Sequence, residues 1–148
     1  MVKDNQPDWD SLAEKFDLWL PLFAPVGDAL IKRLATLPGD KVLDVACGTG
    51  EPAFTLAQQH PHAQVTAVDA APGMVRAASN KLKANHLPNL EFSAMPAEKL
   101  EFEDNHFDKL ICRFGVMLFE DSHQGLSGMR RVLKPGGRFS LAVWGAPE

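Results

Sequence analysis

The stretch VLDVACGTGEPAF, residues 42–54, decides how this chain is read. An apolar run of strand length passes directly into small residues and then into a helix-forming segment. Ala46, Gly48 and Gly50 let the backbone turn tightly and let a ligand approach it closely, and the helix that follows presents free amide groups. Glu51 and Pro52 suit a first helical turn, where an acid favours the dipole and a proline loses no hydrogen bond. Taken alone, such a loop is as readily an ordinary strand-to-helix turn as a binding loop.

Working outward, apolar runs of strand length alternate with helix-length patterns. The spacing predicts strands at 41–46, 64–69, 89–94, 107–114 and 138–144, and helices near 51–59, 72–85 and 121–133, the last ending at Lys134-Pro135-Gly136-Gly137. Upstream, Trp9, Leu12, Phe16, Trp19 and Leu20 recur at helical spacing over residues 8–20, with Asp8 or Asp10 as N-cap. Pro21 and Pro25 are expected to interrupt that helix before a second one carrying Val26, Ala29, Leu30, Arg33 and Leu34. Strands alternating with helices imply an α/β fold: a Rossmann-like three-layer sandwich around a mostly parallel sheet of about five strands. Residues 1–40 read as an N-terminal helical cover and 41–148 as the core of one structural domain.

Asp69 strengthens the functional reading of the loop. It ends the second strand about twenty residues beyond the glycines, where a carboxylate can accept both hydroxyls of a ribose. Loop and acid together imply an adenosine-containing ligand, although Asp69 also suits a cap for the next helix. Two cofactor classes fit, because Gly48-Thr49-Gly50-Glu51-Pro52-Ala53 also satisfies the GxGxxG/A pattern of nicotinamide and flavin enzymes. Asp44, four residues before Gly48, helps to separate them. A carboxylate there is unfavourable for a pyrophosphate and favourable for S-adenosylmethionine, which carries a sulfonium and an ammonium.

Composition narrows the field further. The 148 residues are 45% hydrophobic and 23% charged with a net charge of −4, which suits one globular domain with its own core and argues against DNA or bulk RNA as a partner. No apolar run reaches the roughly 18 residues that a membrane span needs, and the N-terminus lacks a signal-peptide pattern, so a cytoplasmic protein is expected. Cys47 and Cys112 show neither metal spacing nor a disulfide framework.

Several linked segments resemble the class I S-adenosylmethionine-dependent methyltransferases, in particular the small-molecule branch grouped with ubiquinone and menaquinone biosynthesis enzymes. DVACGTGEPA is similar to that branch's first motif, AVDAAPGMV to its second-strand motif, FDKLICRFGVMLFED to its fourth-strand motif and RRVLKPGGRFSLAVWGAPE to its fifth. The resemblance runs from about Trp9 to the last residue. It implies S-adenosylmethionine as cofactor and a small-molecule methyl acceptor. Asp44, Ala46, Gly48 and Gly50 would border the methionine portion, Asp69 would bind the ribose, and Ala70 and Met74 would line one side of the adenine. Met95, Pro96 and Ala97 would form the adenine-edge loop, with Arg113, through its backbone, and Phe114 closing the methionine end. Ala46 stands where many relatives have the first glycine, and Pro96 replaces an acid that often meets the adenine amino group, leaving Glu98 as a substitute partner or a solvent-facing acid.

No catalytic residue can be named. Methyl transfer from a sulfonium needs orientation and exclusion of water more than a dedicated group. The five histidines are scattered, and His123 with Asp121 is the pair nearest the expected rim. Cys47 reads as a small filler rather than a nucleophile. Trp9, Phe16, Trp19, Met117 and Phe119 could build a lid or an acceptor pocket, with core packing the stronger reading for Phe16 and Trp19.

The resemblance stops just after the fifth strand, so the fold is expected to be incomplete relative to the family's seven strands, as a fragment or as a natural short form. An edge carrying Phe139, Leu141 and Val143 is expected to pair with a second copy, giving a homodimer. Two alternatives to methyl transfer stay open: a truncated, non-catalytic protein that binds the cofactor or a partner, and a nicotinamide-dependent oxidoreductase.

Overall fold

The computed structural model describes residues 6–147. Five parallel strands form a single sheet in the order β3-β2-β1-β4-β5: β1 Lys41–Val45, β2 Gln64–Asp69, β3 Leu90–Ala94, β4 Phe107–Arg113 and β5 Leu133–Ala142. The helices are α1 Trp9–Phe16, α2 Leu20–Leu34, α3 Ala53–Gln59, α4 Pro72–Asn85 and α5 Ser122–Val132. The Rossmann-like three-layer α/β fold is present.

The layers follow from side-chain alternation. In β1, Val42 faces a core with Leu30, Ile31 and Leu34 of α2 and Phe54, Leu56 and Ala57 of α3. Leu43 and Val45 face the other core, with Met129 and Val132 of α5 and Leu110 and Cys112 of β4. A strand buried on both faces favours apolar residues, and in β1 Val42, Leu43 and Val45 meet that demand while Asp44 is the buried exception. Each of its fully buried valine and leucine side chains contributes about 1.5–3 kcal/mol.

Several boundaries differ from the sequence reading. The first helix breaks at a 3-10 turn over Asp17–Trp19, before either proline; Pro21 lies in the first turn of α2, where its missing N–H costs nothing, and Pro25 lies inside the helix. Trp19 is 57% exposed and packs in no core. Helix α3 starts at Ala53, so Glu51 and Pro52 precede it. The β5 ladder ends at Ala142, leaving Val143 and Trp144 beyond it, and its register against β4 shifts between Phe107 and Lys109. The expected Asp8 cap is present, its carboxylate accepting from the Ser11 amide at 3.3 Å.

The sheet order places the site. From β1 the chain crosses through α3 to β2 on one side, while β4 flanks β1 on the other. The loops after β1 and β4 therefore diverge, and a crevice opens at the carboxyl ends of the strands.

Candidate functional site

The loop after β1 is held from both sides. Ala46 has φ +59°, and Gly48 and Gly50 have φ +56° and +119°. A positive φ at Ala46 explains why a glycine would fit there as well. The Cys47 amide donates to the Val68 carbonyl at 3.0 Å, and the Gly48 amide donates to the Asp69 carboxylate at 2.8 Å. The second Asp69 oxygen accepts from the Ala71 amide at 2.9 Å. Burial raises the Asp69 pKa, the two amides oppose the rise and nearby Asp10 adds to it.

These elements border a cleft of about 940 Å³ at the carboxyl ends of the strands. Ala46, Gly48, Asp69, Ala70, Met74, Met95, Pro96, Ala97, Arg113 and Phe114 all line it, so ten of the twelve candidate residues come together on one surface. Asp44 and Gly50 do not reach that surface. Gly50 turns inward, where a Cβ would lie 2.3 Å from the Phe54 ring. Asp44 is fully buried behind the loop, and neither of its carboxylate oxygens has a hydrogen-bond partner among the described residues. Burial pushes its pKa well up; the Arg113 charge opposes this, Glu51 and Asp69 add to it, and the Ala53 amide lowers it without meeting hydrogen-bond geometry.

Arg113, expected to act through its backbone, lines the cleft, and its side chain ties neighbouring segments together. Its guanidinium donates to the Phe23 carbonyl at 3.2 Å and the Glu51 carbonyl at 3.3 Å, tying α2 to the loop that precedes α3. It also lies 5.9 Å from the Phe23 ring centroid, a cation–π contact. Phe23 meets Phe114 edge-on, and Phe114 stacks face to face on Trp144 with centroids 4.4 Å apart. The three rings form an aromatic wall at one end of the cleft.

The N-terminal helices close another side. Phe16 lies over the glycine loop, its ring 3.3 Å from where a Gly48 Cβ would be, so it lines the cleft instead of packing in the core. Trp9 packs edge-on against Phe16. Asp10 accepts from the Gly73 amide, supplying from α1 a cap that α4 lacks in its own sequence. Phe23, Asp10 and Trp144 were not recognised as site residues; each arrives through a long-range contact that leaves no local pattern.

Other expectations resolve as follows. Met117 and Phe119 line the cleft; His123 and Asp121 do not, and Asp121 is the N-cap of α5, accepting from the Gln124 amide at 3.0 Å. Glu98 lines the cleft, and its carboxylate meets the Asp121 amide at 3.5 Å. Cys47 is buried in the loop and its thiol pKa is pushed well up, first by burial and then by Asp44 and Asp69, which suits a filler and not a nucleophile. Among the described residues no group of three or more His, Cys, Asp or Glu could hold a metal ion, and no helix is long and apolar enough to cross a membrane.

Residues 42–137 match a family described as "Methyltransferase domain". The chain is 34% identical over 120 residues to a protein from Geotalea daltonii named ubiquinone/menaquinone biosynthesis C-methyltransferase UbiE, covering 80% of this chain and 51% of that one. It is 39% identical to a demethylmenaquinone methyltransferase of Deinococcus radiodurans, covering 99% of this chain and 68% of the relative. Among solved structures, an S-adenosylmethionine-dependent methyltransferase from Aquifex aeolicus superposes with a TM-score of 0.80 at 26% identity, over 91% of this chain and 72% of that one. The chain spans about half the length of the first curated relatives it matches. The family match covers the strands and the loop that build the cleft, and the chain belongs to the class I S-adenosylmethionine-dependent methyltransferases.

Proposed function

We propose that the chain binds S-adenosylmethionine in this cleft and transfers its methyl group to a small-molecule acceptor. The observation that carries the reading is the Asp69 carboxylate, fixed by the Gly48 and Ala71 amides at the cleft surface with lone pairs still free to accept from a ribose. Charge supports it as well. Among the described residues six carboxylates line the cleft (Asp8, Asp10, Glu51, Asp69, Glu98 and Glu120) against the single cation Arg113. That balance favours a sulfonium and an ammonium and disfavours a pyrophosphate.

In this reading Ala46 and Gly48 touch the methionine portion, while Gly50 and the buried Asp44 support the loop from behind. Asp69 holds the ribose, Ala70 and Met74 line one adenine face, and Met95, Pro96 and Ala97 meet its edge. Arg113 and Phe114 close the methionine end, and the helices within residues 1–40 act as the cover. The cofactor supplies an activated methyl group; the chain orients it and excludes water. Beyond the methionine end, Phe23, Met117, Phe119 and Trp144 line a further part of the cleft and suit an apolar, planar acceptor, the quinone type for which the two curated relatives are named. We further read the chain as cytoplasmic, with two free buried thiols, and as a homodimer through the β5 edge.

Calorimetric titration with S-adenosylhomocysteine and, separately, with NAD tests the cofactor class. Saturable binding of the first alone is expected; binding of NAD alone would reverse the assignment.

A further inference from the structure

The loop between Gly48 and Gly50 carries a fully buried Thr49. With a positive-φ glycine on either side, the backbone here has little steric restraint of its own. What holds Thr49 comes from a distant part of the chain. Its hydroxyl donates to the Asp17 carboxylate at 2.6 Å, across 32 residues. Asp17 is the first residue of the 3-10 turn that joins α1 to α2, next to Phe16, whose ring lies over Gly48. The same Asp17 oxygen takes the Lys81 ammonium of α4 at 2.7 Å.

The two bonds differ in weight. The Lys81–Asp17 pair is partly exposed, with side chains 30% and 45% accessible, and such pairs contribute little. The Thr49–Asp17 bond has one fully buried partner and an ionised acceptor, which makes it the stronger of the two. Without Asp17 the Thr49 hydroxyl would be buried with no partner.

We propose that Asp17 is a positioning residue: through Thr49 it sets the glycine loop in its binding conformation and latches the α1–α2 segment over the cleft. The latch rests on the reading of the cleft as a cofactor site. Because one bond joins loop and cover, a ligand that orders the loop tightens the cover, and loosening the cover weakens the ligand by the same factor.

The test uses the 148-residue chain and three variants, Asp17→Ala, Thr49→Val and Lys81→Met. Two readouts apply: the dissociation rate of S-adenosylhomocysteine by tryptophan fluorescence, and the rate of tryptic cleavage after Lys15 in α1 without ligand, with cleavage after the exposed Arg130 of α5 as the reference site. Asp17→Ala and Thr49→Val are each expected to speed both by roughly tenfold while the Arg130 rate holds, with the double variant no faster than either single. Lys81→Met is expected to change them less than about twofold.

Equal acceleration at Lys15 and Arg130 would mean a general loss of stability and would overturn the proposal. So would wild-type rates in both Asp17→Ala and Thr49→Val. If the wild-type chain does not bind S-adenosylhomocysteine, the functional reading fails, and cleavage after Lys15 still decides whether Asp17 fastens the cover.

Discussion

The Asp69 carboxylate accepts the Gly48 amide at 2.8 Å across 21 residues, so the residue that ends β2 also shapes the loop that follows β1. Its other oxygen holds the Ala71 amide at the entry to α4. One side chain thus orders two backbone segments and still faces the cleft. Asp69→Ala removes both ties together with the proposed ribose contact, and hydrogen bonds to charged groups contribute about 1.5–3 kcal/mol each. S-adenosylhomocysteine affinity is expected to fall at least about tenfold in calorimetry, with Asp69→Asn intermediate. Unchanged affinity in a folded Asp69→Ala chain would remove the central support for the assigned site.

Asp44 leads to a pH dependence. Burial raises its pKa well above the ordinary 3.8, with the Arg113 charge in opposition. A carboxyl whose pKa is higher in the folded chain favours folding while it is protonated. That contribution is complete below the unfolded value and is lost as pH rises towards the folded one. Asp44→Asn cannot ionise, so its melting temperature without ligand is expected to gain on the wild type as pH is raised from about 4 to 8. A constant difference over that range would mean that Asp44 ionises without penalty.

Gly73 is the point where α4 and α1 touch. A Cβ there would lie 2.6 Å from the Asp10 carboxylate oxygen and 2.9 Å from its Cα, so the backbone of α1 must shift. Alanine is the better helix former by about 1 kcal/mol, but such crowding costs roughly 1–3 kcal/mol. Gly73→Ala is therefore expected to be less stable in urea melts. A more stable variant would show that α1 is not seated on α4 in solution.

The two cysteines should be inert. The Cys112 thiol is pushed up to about 12, chiefly by burial, and Cys47 is raised for the same reason. Iodoacetamide at pH 8 is expected to leave both unmodified by mass spectrometry until the chain is unfolded. Rapid labelling of Cys47 in the native chain would reopen a chemical role for it.

The edge strand β5 has one neighbour in the sheet, and Phe139 on it is 62% exposed while Leu141 is partly buried against the core. A dimer mass is expected in light scattering well above micromolar concentration, and Phe139→Lys is expected to return the monomer. A monodisperse wild-type monomer under those conditions would rule out the edge-paired dimer.

Part of this architecture is written locally. Period-two and period-3.6 patterns, the small residues at 46–50 and the distance to Asp69 need only neighbouring residues to be read; they determined the α/β class and pointed to Ala46, Gly48 and Asp69 on the cleft surface, while the other seven candidates found there came from the family resemblance. Local rules failed where a tertiary partner outweighed them. Pro21 and Pro25 do not end a helix, because the break lies at the turn that carries Asp17 to Thr49. That turn leaves Trp19 exposed and Phe16 over Gly48. Asp44 has the spacing of a lining residue but belongs to a strand buried on both faces. Sequence alone determined the order of elements and the loop that can bind; only the tertiary structure decided which side chains meet across it, as Asp10 meets Gly73, Arg113 meets Phe23 and Phe114 meets Trp144. Such pairs depend on how helices and strands pack, which no spacing along the chain encodes.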